Sequence, residues 1–222
     1  MTIFLSKIKI SDNPSIQSLG ALLSPSETST RMTAHHRLLW AAFTDGPERK
    51  RDFLWRDEGK GVFFTLSKRP PMQTDIFGSH QIKTFAPDLS AGTLLNFKLR
   101  ANATRAKRGG ARVDVVMDAL HEVPKLERSD ARMPLAQREG KAWLTRQGEK
   151  AAFNLVEVTV ENYTAQVLEG NNGARRRQPK FGVLEMTGRL EVNEPEAFLS
   201  HLSQGFGRAK AFGCGLMLIR RA

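Results

Sequence analysis

Cysteine is almost missing from this chain. Cys214 is the only one, which excludes an intramolecular disulfide and a cysteine-rich zinc site and fits a reducing cytoplasm. No run of about 18 apolar residues occurs, so no segment reads as a membrane span. The opening MTIFLSKIKISDNPS alternates and lacks the apolar stretch of a signal peptide. There is no G-x-x-x-x-G-K-[ST] loop, which argues against nucleotide hydrolysis. There is also no His-x-x-x-His pair and no strand-end group of Asp and Glu resembling a two-metal nuclease. No metal or cofactor is therefore expected. Tyrosine is reduced to Tyr163 alone. Acidic residues fall short as well: 23 Asp and Glu face 34 Lys and Arg, a formal charge of +11.

That surplus, with a pI near 10.2, sets up a field that attracts polyanions, nucleic acid first among them. An acidic protein ranks second and an anionic membrane surface a distant third. Hydrophobic residues at 40% and charged residues at 26% are those of a folded globular protein, not a disordered tail. The length allows one large domain or two of about 100 residues.

The hydrophobic pattern favours two. Ile3 to Ile10 alternates as a strand. Met32 to Phe43 (MTAHHRLLWAAF) has helical spacing and stops at Asp45-Gly46-Pro47. Phe53 to Arg56 and Val62 to Leu66 predict a β-hairpin, and a short strand is expected near Ile82 to Phe85. Ala86 to Gly92 reads as a linker. Beyond it come a strand from Thr93 (TLLNFKLRA), a basic loop at 104–112, and helices at 114–121 and 135–147. Strands at 155–160, extendable to Leu168, and at 181–192 flank a turn at Glu169 to Gly173. A helix at 194–204, a glycine-rich segment at 205–215 and a strand at 216–220 end the chain. Each half runs strand, helix, hairpin, helical region, strand, although the second helix of the first half is poorly marked. The expected class is α+β, with two tandem ferredoxin-like βαββαβ domains at 1–88 and 92–222.

Four glycines in GFGRAKAFGCGLM (205–217) permit positive φ and close approach of backbone to a partner. Their amides could face phosphate, with Arg208 and Lys210 adding charge; equally, the glycines could serve tight packing alone. Other basic groups are Arg175-Arg176-Arg177 at the tip of a predicted hairpin, and Arg105, Lys107 and Arg108 in the loop of the second half. Arg49-Lys50-Arg51 reads as plain surface, and Phe63, Phe97 and Trp143 as core. Histidine suits proton transfer near neutral pH. His35 and His36 project about 100° apart on their helix, so only one faces a given cleft. His36 also shares spacing with Met32, Trp40 and Phe43, a core pattern.

GFGRAKAFGCGLM resembles the C-terminal glycine-rich signature of CRISPR-associated RNA-binding proteins of the RAMP type, and in particular that of the CasE endoribonuclease family. HRLLWAAF, RDFLWR, LLNFKLRANAT and RMPLAQREGKAWL follow in the order that this family shows. The resemblance covers nearly the whole chain. It implies two ferredoxin-like domains, a CRISPR repeat stem-loop and other Cascade subunits as partners, and metal-independent cleavage of the repeat. In that chemistry a ribose 2′-hydroxyl attacks the adjacent phosphate, leaving 5′-hydroxyl and 2′,3′-cyclic phosphate ends. The resemblance places His36 at the catalytic position. By charge and placement, Arg105, Lys107, Arg108, Arg175, Arg176, Arg177, Arg208 and Lys210 are the expected RNA-binding residues, with a solvated loop as the alternative for the 105–108 and 175–177 groups. The family often carries a tyrosine three residues before the histidine, where this chain has Thr33. A threonine hydroxyl is too weak an acid to replace it, which leaves water, Lys210 or His35 as proton donor. The rival reading is a catalytically inactive RNA-binding subunit of the same fold. A third is a basic structural protein that binds nucleic acid without preference for a stem-loop.

Overall fold

The computed structural model describes residues 2–44, 46, 51–167 and 180–222. Arg175, Arg176 and Arg177, the turn expected at Glu169 to Gly173, Leu168, Arg49 and Lys50 lie outside the described residues. The described chain forms two compact units. One takes Met1–Pro87 and Lys210–Gly213; the other takes Asp88–Gln166, Lys180–Ala209 and Cys214–Ala222. None of the helices, among the described residues, is long and apolar enough to cross a membrane.

In the first unit, β1 (Phe4–Lys9) is followed by two single-turn helices, α1 (Pro14–Gln17) and α2 (Gly20–Leu23), then by α3 (Thr28–Trp40). The hairpin β2 (Phe53–Asp57) and β3 (Val62–Ser67) comes next, then β4 (Gln81–Thr84). The sheet order is β2-β3-β1-β4, and β1 runs antiparallel to both β3 and β4. Met32, His35, Leu38, Leu39, Ala42 and Phe43 are the buried positions of α3 and the turn after it. Their i, i+3, i+4 spacing presses one helical face onto Ile8, Phe53, Trp55 and Phe63. Phe43 stacks on Phe53 with centroids 4.3 Å apart. No helix forms between β3 and β4, the position where the sequence marks one poorly.

In the second unit, β5 (Leu94–Ala101) leads to the short antiparallel pair β6 (Thr104–Ala106) and β7 (Arg112–Asp114). The expected loop at 104–112 is thus strand at both ends, because the two arms pair across Gly109-Gly110. Helices α4 (Val115–His121) and α5 (Arg128–Ala151) follow, then β8 (Phe153–Val167), β9 (Lys180–Val192), α6 (Pro195–Gln204) and β10 (Met217–Arg221). The sheet order β10-β5-β9-β8 repeats that of the first unit, with the element order of a ferredoxin-like fold. The helix expected at 135–147 is longer at both ends and holds Pro134 inside. Ala136, Gly140, Trp143, Leu144 and Ala151 bury one face of it, and such packing outweighs the lost proline hydrogen bond.

Candidate active site

The two histidines of α3 occupy different environments. His35 is 2% exposed. Its Nδ1 lies 3.0 Å from Asp57 Oδ2 and its Nε2 3.2 Å from Ser24 Oγ, and its ring meets the edge of Phe63 at 4.8 Å. It is a satisfied core histidine, with both nitrogens engaged. His36, one residue on, lies beside that core face. It is half-buried between Trp40 (6.2 Å) and Phe212 (6.3 Å), and its Nε2 is enclosed with no hydrogen-bond partner.

Cations surround it. Burial lowers the His36 pKa from the ordinary histidine value, and the positive charges of Arg51 and Arg37 lower it further. Arg51 is itself half-buried, with Nη1 enclosed and unpartnered. The run containing Arg51 reads as plain surface in the sequence; the structure corrects that for Arg51, and the signal for it is tertiary. Lys210 sits in a single 3-10 turn, Lys210–Phe212. Burial lowers its pKa, and Arg51 lowers it again. Among the described residues, no carboxylate is hydrogen-bonded to His36, Arg51 or Lys210. Half-buried cations without a carboxylate partner among the described residues favour an anionic ligand, and a phosphate has the charge and the acceptor oxygens to meet them.

The 210–213 turn is fixed by Trp55, whose Nε1 donates to the Ala211 carbonyl at 3.2 Å. Gly213 has φ +74°, and a Cβ there would stand 3.2 Å from the Trp55 ring. In the second unit Gly207 (φ +74°) lies so close to β5's end that a Cβ would meet the Asn102 carbonyl at 2.6 Å. Packing thus accounts for both of these glycines, while Arg208 stays exposed with its amide bonded to Asn102 O at 3.1 Å.

The other sequence-derived cations among the described residues belong to the second unit. Arg105 donates to Asp118 on α4 (Nε to Oδ2, 3.0 Å) and lies 3.7 Å from Glu139. Lys107 pairs with the same Asp118. Hydrogen bonds from Lys107 and then Arg105 hold the Asp118 carboxyl below the usual carboxylate range. Arg108, on the same β6–β7 turn, is exposed. Tyr163 lies on β8, where its hydroxyl donates to Asp114 Oδ1 at 2.9 Å; burial, then the Asp114 charge, raises its pKa far above the phenol value. It belongs to the second unit.

The chain matches the CRISPR associated protein family over residues 3–221. It is 28% identical over 191 residues to the CRISPR system Cascade subunit CasE of Escherichia coli, covering 82% of this chain and 88% of that one. It is 32% identical over 206 residues to the CRISPR-associated endoribonuclease Cse3 of Thermus thermophilus, covering 83% and 87%. The structure of Thermus thermophilus Cse3 bound to an RNA representing a pre-cleavage complex superposes with a TM-score of 0.70 at 25% identity, over 99% of this chain and 100% of that one. By a match that spans both ferredoxin-like units, the chain belongs to the CRISPR-associated CasE/Cse3 family.

Proposed function

We propose that this protein is a CRISPR repeat endoribonuclease. It cuts precursor CRISPR RNA beside the repeat stem-loop without a metal ion, and it keeps the product bound as a subunit of a Cascade complex in the cytoplasm. The observation that carries this reading is the unpartnered Nε2 of His36 beside Arg51 and Lys210, neither of which is hydrogen-bonded to a carboxylate among the described residues.

The chemistry follows from the environment. A histidine with a lowered pKa is neutral at pH 7 and acts as general base on the 2′-hydroxyl. The attacking oxygen then closes on phosphorus as the bond to the 5′-oxygen breaks. Negative charge that develops on the phosphorane falls beside Arg51 and Lys210, whose charges are already in place. Lys210 is a stronger acid than an ordinary lysine, so it is the preferred donor to the leaving 5′-oxygen; His35 is occupied by Asp57 and Ser24. The ribose reaches Nε2 when the imidazole turns or the Phe212 ring moves aside. Arg105, Lys107, Arg108, Arg175, Arg176, Arg177 and Arg208 supply phosphate contacts to the stem-loop, whose A-form bases are recessed in a deep groove.

The test is cleavage of the cognate repeat RNA in EDTA, beside the same RNA deoxy at the scissile 2′ position. The reading requires cutting of the first and none of the second. Tight binding of both with cutting of neither leaves an RNA-binding subunit, and cutting of the deoxy substrate excludes 2′-hydroxyl chemistry.

A further inference from the structure

The face of the first unit's sheet that turns away from α3 carries a pattern that the cleavage site does not use. Residues directly opposite in an antiparallel pair share a face. Lys7 of β1 lies opposite Phe64 of β3 and opposite Gln81 of β4. One row across three strands therefore reads Phe64, Lys7, Gln81. The neighbouring row reads Leu66, Leu5, Lys83. Ser6 and Ile8, which alternate with these on β1, are buried on the opposite face. The face is open at its β4 edge: all four residues of β4 are exposed, as is Lys7. Leu5, Lys7, Phe64, Gln81, Ile82 and Lys83 line one shallow depression there.

The charge of this face is unbalanced. Among the described residues neither Lys7 nor Lys83 has an ion-pair partner, and no carboxylate occurs in either row. Lys9, one row further on, differs in being tied to Asp12 at 2.6 Å. The corresponding face of the second unit is the internal contrast. There Arg100 is paired with Glu185 (3.2 Å), Arg189 with Glu157 (3.7 Å), and Thr187 donates to Glu161. The second face keeps Lys98 and Arg220 unpaired among the described residues but carries three carboxylates beside its cations; the rows of the first face carry lysines around an aromatic ring and no carboxylate.

We infer that the Phe64–Lys7–Gln81–Lys83 face binds a single-stranded segment of the RNA that adjoins the stem-loop. A half-buried ring on a sheet offers one flat surface on which an unpaired base stacks, and a paired base inside a duplex cannot use it. Two unmatched lysines flanking that ring meet the phosphates on either side of the base. Gln81 presents an amide donor and acceptor to the base edge. This inference rests on the proposed reading of the chain as a binder of repeat RNA.

Affinity is measured for the repeat stem-loop alone and for the stem-loop with a short single-stranded extension on its 5′ or its 3′ side. Wild type should bind one extended form more tightly than the stem-loop. Phe64→Ala should weaken that form by about tenfold, the loss of one stacked base, and leave the stem-loop unchanged; Phe64→Trp should retain the gain. Lys7→Gln with Lys83→Gln, at exposed positions that do not threaten the fold, should lower the salt slope for the extended RNA by about 1.4, or about 0.7 per phosphate contact. Equal affinity of wild type for all three RNAs overturns this inference and leaves the proposed function intact. Binding to none overturns the proposed function itself. If the variants bind every RNA like wild type but fail to join the other subunits of a reconstituted complex, the face is a protein interface and the inference is wrong.

Discussion

At His36, burial, Arg51 and Arg37 all favour the neutral imidazole. At Lys210, burial and Arg51 favour the neutral amine. A base that must be neutral and an acid that must be protonated give a bell-shaped pH dependence. The acidic limb rises through the His36 pKa, so it lies below the ordinary histidine value; the basic limb falls through that of Lys210, below the ordinary lysine value. Arg51→Gln removes one contribution from each group, and both pKa values rise. Both limbs should therefore move to higher pH, as the maximum rate falls, in single-turnover cleavage measured across pH. A profile that loses height without moving would deny the electrostatic role. His35 is a matter of stability. His35→Ala deletes a buried ring and its bonds to Asp57 and Ser24, and urea unfolding should show a loss of about 2–4 kcal/mol. Helical spacing alone groups His36 with Met32, Trp40 and Phe43, and so could not tell the core histidine from its neighbour. The family resemblance points to His36, whose Nε2, unlike the ring nitrogens of His35, has no hydrogen-bond partner. Arg51 was illegible because a run of three basic residues looks alike whether or not one of them is later enclosed.

Among elements, long periodic ones were readable and short or tertiary ones were not. The β2–β3 hairpin, β5, β9 and α6 lie close to where alternation, helical spacing and turn residues put them. β6 and β7 have three residues each, too few for a period to show. The first turns of α5 lie beyond the helix expected at 135–147: a proline at 134 disfavours continuation of a helix through it, while the helix is held by its buried face. The glycine-rich segment was legible as special but not in its purpose, since phosphate approach and tight packing need the same residue. Gly207 and Gly213 separate the two by experiment. Gly207→Ala combines a left-handed backbone with a Cβ 2.6 Å from a carbonyl; it should cost at least about 1–3 kcal/mol and be the less stable of the two in thermal melts. Gly213→Ala meets a ring at 3.2 Å and displaces the turn that holds Lys210. Its cleavage rate should fall more than its stability.

For the whole molecule, a charge of +11 predicts that stem-loop affinity falls steeply with salt, by about 0.9 in log–log slope for each phosphate neutralised. The contributions should be unequal. Arg105 and Lys107 already share Asp118, so replacing either by Gln should change the slope by less than replacing Arg108 or Arg208. Four equal changes would mean that RNA takes the first two away from Asp118.

The most direct test of the account is single-turnover cleavage of a labelled cognate repeat by His36→Ala beside wild type, with stem-loop affinity measured on the same samples. The account predicts a rate lowered by about 10²–10⁴-fold at unchanged affinity. Cutting at the wild-type rate by the His36→Ala protein would contradict it and place the proton chemistry elsewhere.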